Sequence, residues 1–273
     1  VDTLKSEVIK THGPDAQLLK SEKPSYSFLK FFWSHFMRDN LFNDNIDIAD
    51  FRFDKSVVKV FDDMVRRSVP GYDSMIQMVG LVARMYGQDD TSYYDLGSST
   101  GAITLAIALN NKHKNNKFIA IDNSAEMVKK CKANLDNKID NLQVLCSDIT
   151  DTDISNASIV VLNLTLQFID VGARAALLKK IYEGLNPGGV LVISEKIHFE
   201  DSETQDHITK LHLDFKRENG YSELEIANKR QAIENVMITE TKRMHIDRLK
   251  DCGFMETSCY FQCLNFVSFL SVK

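Results

Sequence analysis

The segment Asp95-Leu96-Gly97-Ser98-Ser99-Thr100-Gly101 joins a short apolar run, Tyr93 to Leu96, to a helix-like stretch from Ala102 to Leu109. Glycine in such a turn lets the backbone pass close to a ligand, and ligands of open α/β sheets bind beyond the carboxyl ends of the strands. A second apolar run, Phe118-Ile119-Ala120-Ile121, ends in Asp122, an acid able to accept hydrogen bonds from both hydroxyls of a ribose. Together these two strand ends describe a nucleoside site. A dinucleotide fits less well, because G-x-G-x-x-G would need glycine at position 99, where this chain has Ser. D-x-G-x-x-x-G followed by a strand-terminal acid suits S-adenosylmethionine better than NAD. Asp148 follows Val144-Leu145-Cys146, and Asn163 follows Ile159-Val160-Val161-Leu162. Asp148 is placed to bond an adenine amino group, and Asn163 to meet the amino-acid end of the cofactor. Either alone reads as an ordinary turn residue; four polar residues at four consecutive strand ends read as a site.

The elements that must position these groups follow from periodicity. From about Thr91 onward, short apolar runs alternate with amphipathic ones, and Val190 to Ile193 supplies a fifth strand after the turn Asn186-Pro187-Gly188-Gly189. Strands this continuously apolar, separated by helices, predict a parallel sheet covered on both faces. Ser124 caps a helix carrying Met127, Val128, Cys131 and Leu135, and Arg174 to Tyr182 forms another. Asp201 to Glu218 is helical, Ser222 and Glu225 form a capping box for the next helix, and Thr241 to Asp251 makes a further one. The alternation of Glu256 to Val272 around Leu264-Asn265 predicts a closing pair of strands. The expected fold class is α/β: a Rossmann-like class I methyltransferase fold, with a mostly parallel seven-stranded sheet and helices on both faces. Residues 51–273 are expected to form this domain. Residues 1–50 read as an N-terminal arm whose Phe28, Phe31, Phe32 and Phe36 share one face of a short aromatic helix.

Composition narrows the function classes. Of 273 residues, 44% are hydrophobic and 26% charged, which suits a domain with a real core and excludes wholesale disorder. The net charge is −5, from 33 Lys and Arg against 38 Asp and Glu. Affinity for a nucleic-acid backbone is built from cations on phosphates, so direct nucleic-acid binding is not expected. Nor is a membrane span, since no run approaches ~20 apolar residues, nor a metal site, since the Cys and His residues show no ligand spacing. The five cysteines include no C-x-x-C pair. Cys259 and Cys263, on one strand face by period two, read as buried free thiols, pointing to a reducing compartment and hence the cytoplasm.

From about Asp54 to the C-terminus, about four-fifths of the chain, the sequence resembles the carboxy-S-adenosyl-L-methionine synthase family. The matching stretches include Arg67-Ser68-Val69-Pro70-Gly71-Tyr72, Ala120-Ile121-Asp122-Asn123-Ser124, Thr165-Leu166-Gln167-Phe168 and Ser194-Glu195-Lys196. Most specific are Asp214-Phe215-Lys216-Arg217, Asn219 to Ile226, Lys229-Arg230 and Glu234-Asn235-Val236-Met237. The glycine motif is common to many methyltransferases; the segment from Asp214 to Met237 is not.

The resemblance implies that S-adenosylmethionine and prephenate are converted to carboxy-S-adenosylmethionine and phenylpyruvate, with a sulfonium ylide capturing the carbon dioxide that prephenate loses. It assigns Arg230 to the new carboxylate and Tyr72 to the reacting end of the cofactor. It further implies that Gly97, Ser98, Ser99, Asp122, Asn123, Asp148, Ile149 and Asn163 hold the cofactor. A homodimer, and a product that feeds wobble-uridine modification of tRNA, are expected with it. The family's Gly-Cys-Ser is Gly-Ser-Ser here, and the arm through about Asp50 has no counterpart in it. Two other readings stay open: a methyltransferase acting on a small acidic metabolite, and a non-catalytic subunit of a tRNA-modifying complex.

Overall fold

Seven strands form one sheet in the order β3-β2-β1-β4-β5-β7-β6. The computed structural model describes residues 37–39, 41, 53–234 and 236–273, all within a unit beginning at Met37. The aromatic face of Phe28, Phe31, Phe32 and Phe36 and nearly all of the arm lie outside the described residues. The strands are β1 (Ser92–Leu96), β2 (Lys117–Asp122), β3 (Leu142–Cys146), β4 (Ala157–Asn163), β5 (Leu185–Lys196), β6 (Glu256–Cys263) and β7 (Phe266–Val272). The helices are α1 (Lys55–Ser68), α2 (Tyr72–Tyr86), α3 (Ala102–Asn110), α4 (Ala125–Leu135), α5 (Val171–Gly184), α6 (Ser202–Glu218), α7 (Glu223–Glu234) and α8 (Lys242–Asp251). None of the described helices is long and apolar enough to cross a membrane.

The first five strands pair in parallel, and only β7 runs against its neighbours β5 and β6. This is the class I methyltransferase arrangement expected from the alternating runs. Period two divides the sheet residues between two helical layers. Tyr94, Val160, Leu162, Leu191 and Ile193 meet Leu177, Leu178 and Ile181 of α5 and Leu249 of α8 in the main core, while the neighbouring Tyr93 reaches Gly87 at the end of α2 on the other face. The strand order reverses between β1 and β4, so their two following loops part and leave a crevice there.

Local chemistry sets the element ends as expected. The Ser124 hydroxyl accepts from Met127 N at the start of α4. Before α7, Glu225 accepts from Ser222 N at 2.7 Å and Ser222 Oγ from Glu225 N at 3.2 Å. Two details differ from expectation. The Asn186 to Gly189 turn is absorbed into β5 as an irregularity: Ala157 pairs with Leu185 but Ile159 with Val190. In β6 a register shift at Tyr260 pairs Cys259 with Phe269 and Cys263 with Phe266, three residues apart on β7, so the two thiols take opposite faces. Both are half-buried rather than buried.

Candidate active site

The glycine loop is built by carboxylates. Asp95, fully buried in β1, accepts from Thr104 N at 3.0 Å and Thr104 Oγ1 at 2.6 Å, fixing the start of α3. Burial pushes its carboxyl up to about 7, against the pull of those two bonds. Gly97 takes φ +81°, and a Cβ there would meet the Thr165 side chain at 2.4 Å, so both its conformation and its space require glycine. Asp122, at the end of β2, accepts from Ser99 N and from Ser124 N, each at 2.9 Å. It ties the glycine loop to the start of α4, and burial holds its pKa above the usual carboxylate value. Asp122 is therefore already committed through both oxygens, and each retains lone-pair capacity for a ribose hydroxyl.

The opposite lip is a turn held under constraint. Leu164, just beyond Asn163, sits at φ +58°, and its N–H donates to Ser194 O at 2.7 Å. The following turn, Leu166–Phe168, is gripped by Glu195, whose carboxylate accepts from Thr165 N (3.2 Å), Leu166 N (2.9 Å) and Gln167 N (2.9 Å). Arg174 holds the same turn from beneath, donating to Gln167 O, Ile169 O and Ile238 O and pairing with Glu240 at 2.5 Å.

Between these lips lies a cavity of about 370 Å³, within the usual range of about 300–1,000 Å³ for ligand pockets. Tyr72, Gly97, Ser98, Ser99, Asn163 and Arg230 all line it. Tyr72 opens α2 and is nearly fully buried, which drives its hydroxyl far above the ordinary phenol value and keeps it a neutral donor. Asn163 Oδ1 is buried with no hydrogen-bond partner among the described residues, an acceptor ready for an amino group. Arg230 comes from α7, and Lys229 beside it bonds Ser68 Oγ (2.8 Å), Tyr221 Oη (3.0 Å) and Asp39 (3.5 Å). Phe53 and Phe168, ring centroids 5.5 Å apart, supply an aromatic wall.

Asp122 and the remaining expected residues stand outside the cavity lining. Asn123 and Asp148 are exposed at the carboxyl edge of β2 and β3. Asp148 closes a turn on Thr150, accepting from its N and Oγ1. Ile149 gives its side chain to the main core, leaving only its backbone to meet a ligand. Absent from the sequence expectation, and present in the cavity, are Lys196, His212, Lys216, Lys229 and Asn265. Three of these fall within the matched stretches Ser194 to Lys196, Asp214 to Arg217 and Lys229-Arg230, where a signal was available.

A switch-point crevice with a glycine loop on one side, closed by an antiparallel strand pair, defines a protein of the class I methyltransferase fold. A methyltransferase-domain family model matches residues 94–189. A solved structure of a putative O-methyltransferase from Nostoc punctiforme PCC 73102 superposes with a TM-score of 0.56 at 15% identity, covering 80% of this chain and 59% of that one. A protein from Ruthia magnifica subsp. Calyptogena magnifica, named carboxy-S-adenosyl-L-methionine synthase, is 60% identical over 237 residues, 87% of this chain and 100% of that protein. One of the same name from Escherichia coli strain K12 / DH10B is 48% identical over 239 residues, 86% and 97% respectively. The chain belongs to the carboxy-S-adenosyl-L-methionine synthase family.

Proposed function

We propose that this chain converts S-adenosylmethionine and prephenate to carboxy-S-adenosylmethionine, phenylpyruvate and water. The observation that carries the reading is that Arg230, on α7, lines the same cavity as the glycine loop, a fixed guanidinium beside the cofactor site for the carboxylate that forms. In the balanced reaction, prephenate loses its ring carboxylate as carbon dioxide and its ring hydroxyl as water, becoming aromatic. The S-methyl group of S-adenosylmethionine, acidified by the positive sulfur, gives up one proton to that water and gains a bond to the carbon dioxide.

The residues then divide the work. Asp122 and Asn123 receive the ribose and adenine edge, with Asp148 and the Ile149 backbone at the rim. Gly97, Ser98 and Ser99 let the cofactor lie close to the loop, and Asn163 Oδ1 accepts from its amino group. Arg230 offers a planar fork for the carboxylate that forms on the methyl carbon. Tyr72, held neutral by burial, donates to the reacting end. Residues 1–50 are read as an arm on a 51–273 domain, the enzyme as a cytoplasmic homodimer, and its product as the carboxymethyl source for a separate tRNA-modifying transferase.

Incubation of the full chain with both substrates, followed by mass spectrometry, should give a sulfonium product heavier than S-adenosylmethionine by one carbon dioxide, together with phenylpyruvate. Omitting prephenate should abolish it. Accumulation of S-adenosylhomocysteine with untouched prephenate would instead mean methyl transfer to another acceptor.

A further inference from the structure

The cavity has a charge asymmetry. Four cations, Lys196, Lys216, Lys229 and Arg230, line it, and no carboxylate does among the described residues, although the chain as a whole is acidic. Lys229 is compensated by Asp39, Ser68 and Tyr221. The ammonium groups of Lys196 and Lys216 differ: neither has a hydrogen bond or salt bridge to any described residue. Lys196 ends β5, its backbone N–H fixed by Gln167 Oε1 at 3.1 Å, and it pairs across the sheet with Phe266 at the β6–β7 turn. Lys216 lies in the last turn of α6. Its neighbour Arg217 turns outward to Asp214 and Glu223, so those two acids are engaged outside the cavity.

The pair is mutually repelling. Burial and then the Arg230 guanidinium lower Lys196, while burial followed by Lys196 and Arg230 brings Lys216 down to about 8. His212, between them and Ser68, is held neutral: burial and Lys216 press it down to about 3, and its Nε2 bonds Ser68 O at 2.8 Å. Half-buried like charges without a counter-ion are unfavourable, and an anion from solution relieves them.

We propose that Lys196 and Lys216 form a subsite for the carboxylate that the second substrate keeps, so that the two lysines select a dicarboxylic 2-oxo acid. This rests on the reaction proposed above, in which one carboxylate leaves as carbon dioxide and Arg230 is engaged with the carboxylate being formed. The retained carboxylate then needs cations of its own, and these two are available. They are positioning residues: they orient the acid so that its departing carboxylate faces the cofactor.

The test measures phenylpyruvate, which carries only the retained carboxylate, against the S-adenosylmethionine-saturated chain by calorimetry. Lys196→Gln and Lys216→Gln should each weaken phenylpyruvate at least tenfold and raise KM for prephenate similarly, with S-adenosylmethionine affinity unchanged. Phenylacetone, which lacks the carboxylate, should bind wild type and variants alike. Lys196→Met, which keeps the aliphatic stem, serves if Lys196→Gln unfolds, and Lys216→Arg should recover part of the loss. Unchanged phenylpyruvate affinity in folded variants, or no phenylpyruvate binding by the wild type, overturns the subsite. So does an equal loss for S-adenosylmethionine, which would assign the lysines to the cofactor's own carboxylate. Failure of the wild type to consume prephenate, with lysine-dependent phenylpyruvate binding intact, would sink the reaction and leave the subsite standing.

Discussion

Asp122 holds Ser99 N and Ser124 N at 2.9 Å, and the proposed function gives the same two oxygens a second task, accepting from a ribose. Asp122→Asn keeps the shape but turns an amide NH2 toward one of those N–H donors. Leaving a largely buried donor unpaired costs about 1–3 kcal/mol, so the midpoint of thermal unfolding should fall. Loss of a charged acceptor to the ribose should weaken S-adenosylmethionine by roughly tenfold on the same scale. Calorimetry and thermal denaturation together read both. A variant with lower stability but unchanged affinity would restrict Asp122 to shaping the loop.

At the scale of elements, the turn after β4 depends on Glu195 from the neighbouring strand. A fully buried carboxyl group accepting from three consecutive backbone N–H groups acts as the cap of a 3-10 turn supplied by another element. Glu195→Gln retains one acceptor and opposes an NH2 to the remaining donors, which should destabilise the fold by about 1–3 kcal/mol. It should also loosen Asn163 and Gln167 at the cavity. Burial pushes Glu195 up to about 8, against the N–H donors and Arg174. With a folded pKa above its unfolded value, its contribution is full below the ordinary carboxylate range and is lost as pH rises through about 8. Denaturant unfolding from pH 5 to 8 should therefore show a decline in wild-type stability that is smaller in the Gln variant. Parallel pH profiles would remove Glu195 as the source.

For the whole molecule, the relevant quantity is where the charges sit. The chain carries −5 overall, yet the cavity collects cations from β5, α6 and α7. Positive potential held inside an acidic protein draws small anions and not polyanionic backbones, whose binding needs many exposed cations. Gel-shift titration with unmodified tRNA at about 0.15 M salt is expected to show no retained complex at micromolar protein. Tight, salt-dependent binding there would favour a role inside a tRNA-bound assembly over supply of a small molecule.

The sequence by itself determined the ladder of strands and helices, the glycine loop, the Ser222–Glu225 capping box and the position of Asp122 at a strand end. These are local: a period of two or 3.6, a cap or a turn is written within a few residues. The same locality misled at β6, where a shift at Tyr260, legible only from pairing with β7, sends Cys259 and Cys263 to opposite faces. Arg230 stood out in the sequence through family resemblance, while Lys196 and Lys216 lay in matched stretches but carried no role of their own. Only the tertiary structure decided that they share a cavity wall without a counter-charge, because burial and Coulomb pairing sum over groups that are distant along the chain and close in space.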